Sequence, residues 1–341
     1  MTAMTSRERV LRTLDFETPD RVPRQVWMLP AVYDYNDRAE VDAFLARWPA
    51  DFSGPPVHNP KYAALRSGSM YEIGTSRDEW GCEFVNVQNG VHGEVKAPLI
   101  AEWSDLDKLR PPIEALDFDV DAVNAFCRQS EHFLMSGCCP RPFERMQFLR
   151  GSENLYYDLG EESDELRHLL DTIHQFHVKE MEMWARTEVD ALSFMDDWGS
   201  QKSLLISPKQ WRRLFKPLYA EYVRIAHDSG KKAFMHSDGY IFDVYEDLIE
   251  IGVDAVNSQL FIMDIEEIGR RFAGKITFWG ELDRQHEMVT GTPESVRAAV
   301  RRVVDNLWRP EGGAIAQFEM GAGTKIELAE AAYRAWQEFT G

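Results

Sequence analysis

From residue 132 onward, short apolar runs alternate with stretches whose apolar residues recur every three to four positions. This pattern marks strand-then-helix units that build a parallel sheet. The run HFLMS at 132–136 predicts a strand, and RPFERMQFLRG reads as the turn after it. Leu166, Leu169, Leu170, Ile173, Phe176 and Met181 share one helical face and predict a long helix over 163–187. A strand at 190–197 (DALSFMDD) follows, then a helix opened by Ser207-Pro208, a capping hydroxyl before a residue with no N–H to satisfy. That helix is expected to reach about 228, where Gly230 stops it. Further strands are expected at 231–238, 254–259, 275–283 and 313–319. Helices are expected at 240–251, 264–272, from the Thr292-Pro293-Glu294 cap onward, and at 326–339.

Six such units with right-handed crossovers form an open sheet or, with two more, a closed barrel. Residues 21–29 supply a first strand, weakened by Pro23 and Pro30. The second is expected within 51–112, a Gly-, Pro- and Asn-rich stretch where CEFVNV and GEVKAP alternate as in a hairpin. The expected architecture is α/β: a (β/α)8 TIM barrel as a single domain over 1–341, with an N-terminal extension and a hairpin inserted at about 51–112. A length of 341 residues suits one domain, since α/β barrels often exceed 250.

Charge narrows the partners. With 57 Asp+Glu against 38 Lys+Arg, the formal charge is −19, and long-range repulsion argues against nucleic acid and anionic lipid surfaces. The sequence has no apolar run long enough to span a membrane, and the charged N-terminal segment MTAMTSRERVLRTLDF lacks the apolar core of a secretory signal, so a cytoplasmic enzyme working as a monomer or homodimer is expected. Cys82, Cys127, Cys138 and Cys139 form no CxxC pair and read as free thiols.

In a barrel the chemistry projects from the carboxyl ends of the strands, and here these ends are polar. The fourth expected strand ends in Met195-Asp196-Asp197-Trp198, the fifth in His236-Ser237-Asp238-Gly239, and the sixth in Asn257-Ser258-Gln259. The seventh ends in Glu281-Leu282-Asp283 and the eighth in Gln317-Phe318-Glu319. Residues two apart on a strand share a face, so His236 and Asp238 can bind one ion. Carboxylates gathered in one mouth repel one another and call for a metal ion or a cationic ligand. The bland alternative is that Asp197, Asp238 and Asp283 cap the helices that follow. Asp196, Asp197, His236, Glu281 and Asp283 are the catalytic candidates. Arg24, Gln25, Trp27, Arg145, Trp198, Gln201 and Gln259 are candidates for substrate contact, while Arg141, Glu144 and Arg145 also read as a structural ion-pair group.

Taken together, SRERVLRTLDFETPDRVP, MDDWGSQKSLLISPKQWRRLFKPLY, FMHSDGYIFDVYEDLIEIGVDAVNSQ, TFWGELDRQHEMVTGTPESVRAAV and GGAIAQFEMGAG resemble the uroporphyrinogen decarboxylase superfamily over nearly the whole chain. The resemblance implies a (β/α)8 barrel and one of two activities: cofactor-free decarboxylation, or metal-dependent methyl transfer linked to a corrinoid protein. In the methyltransferase branch, a His-x-Cys on the fifth strand and a Cys near the eighth hold zinc. Here His236 matches, Asp238 stands for the first Cys, and Glu319, Gln317 or Met320 stands nearest the second. A His236, Asp238 and Glu319 site is harder than a thiolate one and suits zinc, manganese, iron or magnesium. In the decarboxylase branch basic side chains hold a polycarboxylate, for which Arg24 is the N-terminal counterpart, but an acidic mouth repels such a substrate. A non-catalytic barrel serving as a binding module is the third reading.

Overall fold

The computed structural model describes residues 4–341. Its strands are β1 (Arg24–Met28), β2 (Phe52–Ser53), β3 (Phe133–Leu134), β4 (Ala191–Met195), β5 (Lys232–Ser237), β6 (Ala255–Ser258), β7 (Thr277–Trp279) and β8 (Ala314–Met320). Six of them form a curled parallel sheet in the order β1-β8-β7-β6-β5-β4, while β2 and β3 form a separate parallel pair. Backbone bonds tie that pair to both sheet edges. Asp51 N donates to Arg24 O at 2.9 Å, and Met135 bridges in parallel to Ala191.

Strand alternation sorts the side chains into two cores. Trp27, Phe52, Phe133, Ala191, Phe234, Ala255, Trp279 and Ile315, one from each strand, pack into a single interior cluster. Their neighbours along the strands, such as Leu192, Met235, Val256 and Ala316, face the surrounding helices in the larger cluster. The Ser6–Leu14 helix adds Val10 and Leu14 to the interior cluster at the amino ends of the strands. There Arg7 N donates to Glu131 O and Gly313 N to Thr13 O. The amino end is therefore covered by a helix, and the polar carboxyl ends form the mouth.

Asp51 is the knot of that closed end. Its fully buried carboxylate accepts from Ser6 Oγ (2.8 Å), Arg9 Nη1 (2.6 Å), Arg21 Nη1 (2.8 Å) and the Arg24 N–H (2.8 Å). Burial would raise its pKa, but these hydrogen bonds and the nearby guanidinium charges outweigh that and hold the pKa below the usual carboxylate range.

Several expected elements take a different form. RPFERMQFLRG is a helix, Pro142–Arg150, with Pro142 at its first turn, where a missing N–H costs nothing. The helix expected from 207 to 228 breaks at Phe215 into Pro208–Leu214 and Lys216–Asp228, because Pro217 cannot donate into the preceding turn. The 240–251 helix is a short 3-10 turn followed by Tyr245–Glu250, and β7 is far shorter than 275–283. The inserted hairpin is a three-stranded antiparallel sheet of Gly74–Arg77, Glu83–Asn86 and Glu94–Ala97.

Replacing Asp51 with Asn leaves Arg9 and Arg21 without their buried counter-charge, and an expected cost of about 3–5 kcal/mol follows. The lowered pKa places this stability above the unfolded carboxylate value near 4. Denaturant titrations should therefore show the gap between wild type and Asp51→Asn closing as pH falls below about 4. A gap independent of pH would refute the assignment.

Candidate functional site

The loops after β4 and β5 set the centre of the mouth. Gly199 and Gly239 lie backbone against backbone, Gly239 at φ +79°, and a side chain on either would collide with the other loop. Gly199 N donates to Asp238 O at 3.1 Å, and Asp238 N donates to Asp197 Oδ1 at 3.0 Å. The approach brings Asp197 and Asp238 together above His236, whose Nε2 is 3.6 Å from an Oδ1 of each. Asp197, His236 and Asp238 offer ligand atoms within 4.8 Å of one another.

Asn257, level with His236 in the β5–β6 register, fixes the imidazole. Its side-chain NH2 donates to Trp279 O and to Gln317 Oε1 (2.9 Å), so its Oδ1 must accept, and it faces His236 Nδ1 at 2.7 Å. Nδ1 therefore carries the proton, and the Nε2 lone pair points toward the two carboxylates. Trp27 packs edge-on against the same ring, with centroids 5.2 Å apart. Asp238 Oδ1 is buried without a hydrogen-bond partner. An imidazole lone pair and two carboxylates, one of them with an oxygen buried and unpartnered, form a donor set that suits a divalent cation.

Glu319 does not join this group. It faces Arg284, whose Nη1 is 3.4 Å from Glu319 Oε2, whose Nε is 3.4 Å from Glu281 Oε1 and whose Nη2 pairs with Asp238 Oδ2. Burial pushes the Glu281 carboxyl well above the usual range; Arg284 pulls it down, while Asp238, Glu319 and Asp283 push it further up. Glu319 is likewise raised by burial, against Arg284. The cation that an acidic mouth requires is thus partly supplied by the chain itself. Gln317 and Met320, the other residues near the second Cys position, face inward beside Asn257 and outward into the helix-side core, respectively.

The remaining candidates divide by strand parity. Asp196 points outward and is fully buried, accepting from the Phe143 and Glu144 N–H groups (3.0 and 2.7 Å) and from Tyr219 Oη (2.5 Å). It anchors the Pro142–Arg150 helix, which corrects its assignment to the mouth. Trp198 is buried in the helix-side core, stacked on Phe143 at 4.1 Å and bonded to Tyr219 Oη, so it offers no stacking surface to a ligand. Arg24 alternates to the outside and lies over Trp48, 4.8 Å from the ring centroid. Gln25 faces inward and accepts from Trp279 Nε1 below the mouth. Asp283 accepts from the Gln285 and His286 N–H groups (3.0 and 2.9 Å), the turn-capping role of the bland reading. Gln259 accepts from Gly239 N at 3.1 Å and braces the β5 loop, and Gln201 lies exposed in the loop after β4.

Arg145 sits beside the mouth, in a chamber of about 290 Å³ between the insert and the Pro142–Arg150 helix. Buried there, it pairs with Asp78 and with Glu79 (3.2 Å) and lies 5.1 Å from the Trp80 ring centroid. Arg141 lines the same chamber and pairs with Glu144 at 3.4 Å. Burial raises the Glu144 pKa; Arg141 lowers it, the Asp197 charge raises it, and Arg145 and His236 lower it. The chamber shares Tyr62, Arg66, Gly137 and Glu180 with an outer cavity of about 730 Å³ lined by Pro55, Val57, Phe118 and Trp184.

Sequence reasoning missed Arg284 and Asn257. Arg284 reads as a loop residue after a strand, and only its return over three strand ends gives it a role. Asn257 carried a usable signal, since it stands two residues after Ala255 and therefore shares its inward parity.

The family model for uroporphyrinogen decarboxylase matches residues 70–338. In structure the chain is similar to a methyltransferase from Methanosarcina mazei, with 15% identity, a TM-score of 0.65, and coverage of 98% of this chain and 99% of that one. At this identity the likeness establishes the fold alone. A glycosylated endo-beta-1,4-xylanase from Gloeophyllum trabeum aligns at 11% identity over 64% of this chain and 81% of that one, with a TM-score of 0.39, too distant to carry an argument. No curated protein matches the chain by sequence. A family match over most of the chain, on an α/β fold with its polar groups gathered at the carboxyl ends of parallel strands, leads to one conclusion: this chain belongs to the uroporphyrinogen decarboxylase family.

Proposed function

We propose that this chain is a metal-dependent, methyltransferase-like enzyme that moves a methyl group between a small substrate and a corrinoid carried by a partner protein. In this reading the eight strands act as one closed barrel and the triad of Asp197, His236 and Asp238 holds the metal. The observation that carries the proposal is the His236 tautomer: Asn257 holds the Nδ1 proton, leaving Nε2 facing two carboxylates. The corrinoid partner follows from the motif resemblance.

A divalent metal bound there, whether zinc, manganese or iron, supplies Lewis acidity toward a substrate heteroatom. The rest of the work falls to the chain. The 290 Å³ chamber takes the substrate, with Arg141 and Arg145 on its wall and apolar surface leading in from outside. Loss of a methyl group as a cation equivalent leaves an extra electron pair on the substrate heteroatom. The Glu144 carboxyl, kept protonated to higher pH by burial, is the neighbouring source of the proton that neutralises it. Porphyrinogen decarboxylation is the weaker reading, because Arg24 lies outside the mouth and the carboxylates inside it repel a polycarboxylate.

Elemental analysis of the purified protein should find about one equivalent of a divalent transition metal, lost in His236→Ala. A wild-type protein with no stoichiometric metal ends the proposal. Asn257→Leu should retain the fold by circular dichroism and weaken metal binding by roughly 10- to 100-fold in competition with a chromogenic chelator, as expected when the group orienting a histidine ligand is removed. Unchanged affinity would show that Asn257 does not set the tautomer.

A further inference from the structure

Arg284 is the group in the mouth whose role the metal reading leaves unexplained. Its side chain is 19% exposed, and its three guanidinium nitrogens each address a different carboxylate: Asp238, Glu281 and Glu319. Asp238 is the only one of these that also belongs to the triad. Its two oxygens are divided, with Oδ2 on Arg284 and Oδ1 unpartnered beside His236.

We propose that Arg284 is a resident counter-cation that competes with the metal for Asp238 and so sets the site's affinity. The proposal rests on the metal reading above. A fixed positive charge bonded to a ligand carboxylate repels an incoming divalent ion, and it draws off part of the negative charge that would bind that ion. The same guanidinium has two other carboxylates within 3.4 Å, so it can shift its bonding to Glu281 and Glu319 without losing all its partners when the metal takes Asp238. Such an arrangement keeps the acidic mouth stable in the metal-free protein and favours tight-binding ions over abundant weak ones.

The opposing possibility is that Arg284 merely orients Asp238 for the metal, and the two roles predict opposite signs. If charge governs, Arg284→Met should bind zinc at least about tenfold more tightly than wild type in chelator competition, the scale expected for one unit charge a few ångströms away in a partly screened site. Arg284→Lys, which keeps the charge and loses the planar fork, should stay close to wild type. Equal or weaker zinc binding by Arg284→Met would overturn the proposal. If that variant does not fold, the double variant Arg284→Met/Glu319→Gln restores the charge balance. It should bind within a few-fold of wild type under charge control, and a loss of tenfold or more would overturn the proposal. Wild type and His236→Ala titrated alongside separate the two failures. No zinc binding by wild type defeats the metal reading itself. Wild-type binding lost in His236→Ala, with no gain in Arg284→Met, defeats only the role given to Arg284.

Discussion

Asp238, Glu281 and Glu319 reach one end of the sheet from β5, β7 and β8, and two like charges about 5 Å apart at an effective dielectric near 20 cost about 3 kcal/mol. The chain meets this repulsion in two ways. Arg284 returns over the strand ends and pairs with all three groups, while burial lets Glu281 hold a proton well above the usual carboxylate range. What remains uncompensated lies on the other side of Asp238, where Asp197 and the His236 lone pair face the buried Oδ1. The mouth is therefore divided into carboxylates paired with the chain's own arginine and a donor group on Asp197, His236 and Asp238 that faces away from it.

That division depends on how the two ends of the strands are built. At the amino end the Ser6–Leu14 helix covers the interior, and the Asp51 carboxylate, satisfied by two arginines, a serine and a backbone N–H, binds that helix to β1 and β2. At the carboxyl end paired glycines let the β4 and β5 loops touch, and that contact places Asp197 against Asp238. The buried ion-pair knot thus lies at one end of the strands and the candidate donor group at the other.

Much of the fold was legible from the sequence because hydrophobic periodicity reports directly on which residues are buried. The strands β4, β5, β6 and β8 and the Asp164–Ala185 helix lie where their patterns place them, and β7 occupies only the middle of its expected span. Errors arose where a single residue overrode the pattern. Pro217 divides one expected helix, and the polar RPFERMQFLRG segment becomes a helix because Asp196 accepts its first free N–H groups. The candidate site was legible in part. His236 and Asp238 share a face by strand parity, and the same parity turns Asp196 and Arg24 to the outside.

The sequence by itself determined the alternation of strands and helices, the family resemblance and the end of the sheet at which the polar residues collect, since each of these is set by local spacing. Only the tertiary structure decided which carboxylates meet. Asp197 rather than Glu319 approaches His236 because two loops touch at glycines, and Glu319 turns to Arg284, which lies 35 positions earlier in the chain. Distances between loops depend on how strands pack side by side, and a one-dimensional pattern does not contain them.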